Sequence, residues 1–316
     1  AIILLPLATI FNLLNALFMS FKRELSYPKK STGLTVSSFM TISLKLFSIF
    51  VVEYKLFFRP SMPIITLTTD FGHADIYAGR FKGKLFSIQN DLNIIDITHH
   101  IPAFNIVTGA YSLRSTYGSF PKGTIHIIRV YEQGIINEGL LVAYYKGYYF
   151  LAPNNGVLPL ALNNEFEWIR SVDFELLDLF ISDDIYAEVV KSILENRLDQ
   201  ISIPALDYIT NSKWAIIKEE KSVNGMVVIV DYFGNIITNI HIEDIASYLK
   251  KFKNISIFHR NKEIISGIVE NYNDVILGEK MCRINDLGFL EIAMNKGSAS
   301  SLLGIIYGQP VKVIFS

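Results

Sequence analysis

From Met62 onward, apolar positions alternate between short β-branched runs and longer stretches with helical spacing. IITLTT (64–69), NIIDIT (93–98), TIHIIRV (124–130) and YYFLA (148–152) have the length and composition of strands, each closed by Asp, Pro, Gly or Asn. Between the first two lies DIYAGRFKGKLFSIQ (75–89), where Ile76, Phe81, Leu85 and Ile88 recur at helical spacing and Asp75 is the expected N-cap. NIVTGAYSLRSTYGSF (105–120) predicts a second helix capped by Asn105, and DDIYAEVVKSILENRL (183–198) a third. Strands alternating with helices predict an α/β domain with a largely parallel sheet, in which ligands bind beyond the carboxyl ends of strands. Asp70, directly after the first strand, stands at such an end.

Periodicity is lost from about 201 to 222, around Pro204 and the charge run KEEK, and this stretch reads as a linker. Beyond it GMVVIVD, NIITNI, NISIF, FLEIAM and VKVIF follow one another with Gly and Asn at the breaks. The expected organisation is an α/β domain over 62–212 and a smaller, mainly antiparallel, barrel-like β domain over 223–316. Residues 1–61 stand apart. AIILLPLATIFNLLNALFMSF, followed by Lys22 and Arg23, is long enough to cross a bilayer, but Pro6, Asn12 and Asn15 interrupt it and Lys45 breaks the next apolar run. This segment is expected to be an appendage outside the fold, with a membrane anchor as the alternative.

Composition narrows the function classes. With 29 basic and 30 acidic side chains the net charge is −1, and no basic stripe interleaves with aromatics, so nucleic acid is not an expected partner. A single cysteine, Cys282, excludes an internal disulfide framework and a Cys-based zinc site and permits a reducing, cytoplasmic location. The six histidines lack ligand spacing, so no metal is expected; His99, His100 and His126 read as buried or half-buried. Arg80 and Lys82 read as solvated or paired.

Three polar clusters interrupt the apolar strands: TTDFG (68–72), APNNG (152–156) and DYFGNIITN (231–239). Taken singly, each has a structural explanation. Asp70 could cap a helix, Asn154 and Asn155 form turns, and Asp231 could close a hairpin. Taken together with DIYAGRFKG, IIDITHHI, FPKGTIHI and GFLEIAMNKGSAS, in this order, they resemble the family of S-adenosylmethionine (SAM) hydroxide adenosyltransferases and the related chlorinases and fluorinases. The resemblance runs from about Met62 to Ser316.

The resemblance implies that Asp70 grips the ribose hydroxyls of SAM, a task suited to a charged double acceptor. It implies that Asp231 holds the amino group of the methionine moiety, with Phe233 and Asn235 lining the same pocket. Phe104 would pack near the ribose or adenine, Asn295 would stand close to the adenine, and Asn155 of APNNG joins the binding set. It further implies a homotrimer whose site lies between the first domain of one subunit and the second domain of its neighbour. SAM is then a substrate and no cofactor is needed. Water would attack the 5′ carbon and release adenosine and methionine; a halide would instead give a 5′-halo-adenosine.

At the nucleophile end the motifs depart from the family pattern. Hydroxide-using members carry an Asp in DPGVG, an Arg soon after, and a His in FHGRD. The corresponding segment here is RVYEQGIINEG, which puts Tyr131 or Glu132 at the Asp position and no arginine between 131 and 139. FISDD puts Ile181 at the His position and Asp183 at the Arg position. Glu132 and Tyr131 are thus the candidates to orient water. Halide-using members share a Tyr at 131, a Ser at 182 and an aromatic at 180, so Phe180 and Ser182 join the candidate pocket, although YPATG is missing. The plain alternatives are a core tyrosine at 131, a solvated acid at 132 and a helix N-cap at Ser182. A SAM- or adenosine-binding protein without catalysis is the remaining alternative.

Overall fold

The computed structural model describes residues 64–132, 139–177, 179, 181–210 and 216–316. The expectations for residues 1–61 and for Phe180 lie outside these. Four buried or half-buried strands form the parallel half of the first sheet: β1 (Ile64–Thr69), β2 (Asn93–Thr98), β3 (Ile125–Arg129) and β5 (Tyr148–Pro153), in spatial order β2-β1-β3-β5. β1 and β3 are central, which is why they read as continuous apolar runs. The sheet continues antiparallel through β4 (Leu140–Tyr145), β6 (Trp168–Val172) and β7 (Ser202–Pro204). β4 and β5 form a hairpin over Lys146 and Gly147, both at positive φ (50° and 90°), the backbone that a two-residue hairpin turn requires. The antiparallel half and β7 were not apparent from the sequence, and β7 shortens the linker expected from 201.

Helices cover both faces. α1 (Tyr77–Ile88) and α4 (Ser182–Leu194) bury Phe81, Leu85, Ile185, Tyr186 and Val189 against Ile65, Leu67, Ile125 and Ile127. On the other face α2 (Ile106–Thr116) and α3 (Val157–Ala161) bury Ala110, Leu113, Val157 and Leu160 against Ile128 and Val130. Each such fully buried aliphatic or aromatic side chain contributes about 1.5–3 kcal/mol. α1 starts one residue later than expected, with Ile76 and not Asp75 at its N-cap and no side-chain cap bond. Asn105 does cap α2, accepting from Thr108 N.

The second domain is a seven-strand antiparallel path, β12-β11-β15-β9-β10-β14-β13, with the short β8 (Ile217–Lys218) beside β9. Its strands are β9 (Ser222–Val230), β10 (Ile236–His241), β11 (Ile255–His259), β12 (Lys262–Ser266), β13 (Lys280–Ile284), β14 (Phe289–Met294) and β15 (Pro310–Phe315). The edge strands β12 and β13 approach each other without pairing, so the barrel is nearly closed. The helix α5 (Ile242–Lys251), which strand spacing alone did not reveal, packs on it behind a His241–Asp244 capping box. α2 joins the two domains. Thr108 Oγ1 donates to Val228 O at 3.0 Å, Tyr307 Oη donates to Asn105 Oδ1 at 2.9 Å, and Val107 and Tyr111 pack on Val228, Ile237 and Phe289.

Candidate active site

β1 delivers Asp70 to the carboxyl edge of the parallel strands, where its N–H donates to Arg129 O at 3.3 Å. Its carboxylate is held by two backbone groups: Phe104 N at 3.0 Å and Tyr131 N at 3.1 Å both donate to Oδ2. Oδ1 has no hydrogen-bond partner among the described residues and remains available as an acceptor. Both donors sit in left-handed backbone, Phe104 at φ 65° and Tyr131 at φ 54°. Such a conformation is uncommon for bulky side chains and costs on the order of 1–3 kcal/mol. Here it aims two amides at one oxygen and sets the two rings edge-to-face at 5.8 Å, with Phe104 68% exposed. Asn155 supports this from behind: Nδ2 donates to Val130 O (2.8 Å) and Tyr131 O (3.1 Å), and Oδ1 accepts from Val157 N (3.2 Å). Its side chain is therefore fully used in holding the Tyr131 turn.

Glu132, the residue after Tyr131, belongs to an ionic cluster whose centre is a residue passed over in the sequence, Arg129. The last residue of β3, Arg129 points towards α1 and α4 with a side chain only 5% exposed. All three guanidinium nitrogens donate: Nε to Glu132 Oε2 (3.0 Å), Nη2 to Glu132 Oε1 (3.1 Å) and Ser182 Oγ (2.8 Å), and Nη1 to Asp183 Oδ1 (2.6 Å). Ser182 Oγ in turn donates to Glu132 Oε1. Arg80 Nε holds the other Asp183 oxygen at 2.7 Å. The Arg129 guanidinium carbon lies 4.5 Å from the ring centres of Phe81 and Tyr186 and 5.1 Å from that of Phe71. Planar, delocalised charge suits this enclosure.

Burial would pull the Arg129 pKa down, but Glu132, Tyr186 and Asp183 more than reverse this and raise it. Burial pushes the Asp183 carboxyl up, yet Arg129 and Arg80 outweigh it and hold the group below its ordinary value. Tyr186 Oη is fully buried without a hydrogen-bond partner, and burial raises its pKa well above the usual phenol range. The sequence search for an arginine between 131 and 139 missed the guanidinium because it arrives from the strand before that window. Its signal was present: a charge inside the apolar run IHIIRV has to be paired. Ser182 is not the N-cap of α4; Ile181 holds that position and Ser182 serves the cluster instead.

The remaining candidates form a second group. In the turn between β9 and β10, Asp231 Oδ1 accepts from Phe233 N and Asn235 N, both at 2.9 Å, and Oδ2 accepts from Asn235 Nδ2 at 2.9 Å. Tyr232 and Phe233 project outward, 98% and 73% exposed. Asn295 directly follows β14, with Nδ2 donating to Val275 O at 2.8 Å. Among the described residues no hydrogen bond or ring contact joins this group to Asp70 within the chain, and none of the candidates lines the cavity of about 490 Å³ at the barrel seam.

The histidines differ from one another. His126 is buried with Thr66 Oγ1 at 2.7 Å from Nδ1, and burial lowers its pKa to about 3. His99 is buried, 2.8 Å from Thr69 Oγ1, and burial lowers its pKa against the opposing pull of Asp96. His100 is exposed, contrary to the expectation for all three. Arg80 and Lys82 are paired, with Asp183 and Asp96. Among the described residues no group of His, Cys, Asp and Glu is arranged to hold a metal, and no helix is long and apolar enough to cross a membrane.

An acid held by two backbone amides at the edge of a largely parallel sheet, followed by an antiparallel, nearly closed barrel, describes a two-domain α/β and β protein. The profile of the SAM hydroxide adenosyltransferase N-terminal domain matches residues 65–201, and that of the C-terminal domain matches residues 225–312. The chain belongs to the SAM hydroxide adenosyltransferase family. It is 32% identical over 268 residues to a protein named (R)-S-adenosyl-L-methionine hydrolase from Methanocaldococcus jannaschii, covering 80% of this chain and 97% of that one. A fluorinase from Actinopolyspora mzabensis is 23% identical over 304 residues, covering 80% and 97%. Among solved structures, a conserved uncharacterized protein from Thermotoga maritima superposes with TM-score 0.70 at 28% identity, covering 79% of this chain and 99% of that one.

Proposed function

We propose that this protein binds SAM and hydrolyses it to adenosine and L-methionine by substitution at C5′. The observation that carries the reading is Asp70, whose Oδ2 is fixed by two amides while Oδ1 has no hydrogen-bond partner among the described residues. Oδ1 accepts from the ribose diol, and Phe104 covers the sugar. Glu132, one residue beyond Tyr131, takes a proton from water as the water oxygen bonds to C5′; the C5′–S electron pair leaves with neutral methionine. The transition state loses positive charge at sulfur, so positioning and proton removal supply most of the rate.

Asp231, Phe233 and Asn235 take the methionine end, and Asn295 stands near the adenine. In our reading these come from a neighbouring subunit of a homotrimer, which the exposure of Phe104, Tyr232 and Phe233 supports. Phe180 belongs to the same proposed pocket. We assign the protein to the cytoplasm, consistent with its single cysteine. Water is preferred to halide as nucleophile. Two guanidiniums, Arg80 and Arg129, are already paired with two carboxylates, Glu132 and Asp183, and the Ser182 hydroxyl is committed to Glu132. Such a surround offers a halide little to bind.

Incubation with SAM and chromatography of the products tests this. Adenosine and methionine in equal amounts, at a rate indifferent to chloride and fluoride, are expected. Binding without turnover would select the non-catalytic alternative, and 5′-halo-adenosine rising with halide would select the halogenase.

A further inference from the structure

The ionic cluster contains more than hydrolysis at Glu132 requires, and its arrangement is specific. A carboxylate acting as a base needs one defined orientation, yet a glutamate beyond a strand end, after a residue in left-handed backbone, has three side-chain torsions to fix. Arg129 removes that freedom. Nε and Nη2 grip both Glu132 oxygens in a fork, Nη1 is anchored on Asp183, and Arg80 closes the far side of Asp183. Phe81, Tyr186 and Phe71 fix the plane of the guanidinium. Ser182 bridges, accepting from Arg129 Nη2 and donating to Glu132 Oε1. The fully buried Tyr186 hydroxyl, without a hydrogen-bond partner, adds a further polar atom to the same cluster.

We propose that Arg129 is the positioning residue for the water-activating carboxylate, acting through Glu132 with Ser182 as the bridge, and does not itself contact substrate. This rests on the hydrolase reading above. With every guanidinium nitrogen donating inward, Arg129 is unsuited to holding a substrate carboxylate or a halide. Its effect is to present Glu132 in a single orientation.

The test compares wild type, Arg129→Lys, Ser182→Ala and Ser182→Thr in steady-state hydrolysis of SAM, with melting temperature checking that each folds. Arg129→Lys keeps a charge but loses the fork. Its kcat should fall by roughly 10–100-fold with KM within about twofold, the signature of misplacement at the reacting centre. Ser182→Ala should lower kcat in the same way by less, and Ser182→Thr, which retains the hydroxyl, should restore it. Ser182→Ala decides the matter if Arg129→Lys does not fold. A fall in kcat in Ser182→Ala that Ser182→Thr does not restore would make the cluster merely structural and overturn the proposal. A raised KM at unchanged kcat would make Arg129 a substrate ligand and overturn it too. If wild type yields no adenosine, the hydrolase reading fails and takes this inference with it; if wild type turns over and the variants match it, the inference fails alone.

Discussion

Acid should destabilise this fold through one histidine, and the size of the effect follows from its surroundings. His126, in the centre of β3, has no exposed surface; its Nδ1 meets Thr66 Oγ1 across the β1–β3 pairing, and its ring stacks on Phe150 at 5.3 Å. Tyr117, Phe120 and Tyr148 complete an aromatic enclosure, and burial lowers its pKa to about 3. In the unfolded chain the same group titrates near 6.5. Between those values the unfolded chain binds a proton that the native state refuses. The stability is therefore fully present above about pH 6.5, falls as pH drops, and is lost by about pH 3. At about 1.4 kcal/mol per pH unit, acidification from pH 6.5 to 4 removes about 3 kcal/mol, a large share of a typical 5–15 kcal/mol. Urea unfolding of wild type and His126→Phe at intervals from pH 8 to 4 measures it. Phe fits the aromatic enclosure and leaves only the Thr66 hydroxyl unpaired, at about 1 kcal/mol independent of pH. The two curves should cross, wild type being about 1 kcal/mol more stable at pH 8 and about 2 kcal/mol less stable at pH 4, a relative change of about 3 kcal/mol. His99 acts with the same sign in both proteins and cancels, and Asp183, held below its ordinary value, loses its contribution only at still lower pH. Parallel curves would refute the reasoning.

Two further outcomes probe the proposed binding surfaces. Asp70→Asn preserves shape and can still accept the Phe104 and Tyr131 amides, but presents a donor where the ribose hydroxyls need a charged acceptor. Calorimetric affinity for SAM should fall roughly 10–100-fold, the worth of a charge-assisted hydrogen bond, with melting temperature little changed; equal affinity would remove the sugar-binding role. Gly234 sits at φ +80°, where a Cβ would lie 2.1 Å from Ser298 Oγ and 3.0 Å from Ser298 Cα. Gly234→Ala combines left-handed strain with that overlap, so about 2–3 kcal/mol of stability should be lost, seen as melting lower by about 5–10 °C; unchanged melting would mean that the Asp231 turn tolerates a different path.

What the sequence determined by itself was everything written in local period and local chemistry. Alternation of apolar runs identified β1, β2, β3 and β5, the Asn105 cap and α4, and the shift to consecutive strands marked the barrel domain. Glycine-punctuated blocks placed Asp70 and Asp231 at strand ends, where backbone amides do surround each carboxylate. The antiparallel half of the first sheet escaped because LLVAYY and WIRSV carry no alternation that distinguishes them from helix or loop. They became strands by pairing with β5 and with each other. The ionic cluster around Arg129 was decided by tertiary structure alone. Arg129 and Asp183 are 54 positions apart, yet 2.6 Å separates their charged atoms, because β3 and α4 pack face to face around Phe81 and Tyr186. A motif search asks which residue occupies a position. A buried charge asks only which opposite charge can reach it in space, and a neighbouring element can answer as well as a neighbouring residue.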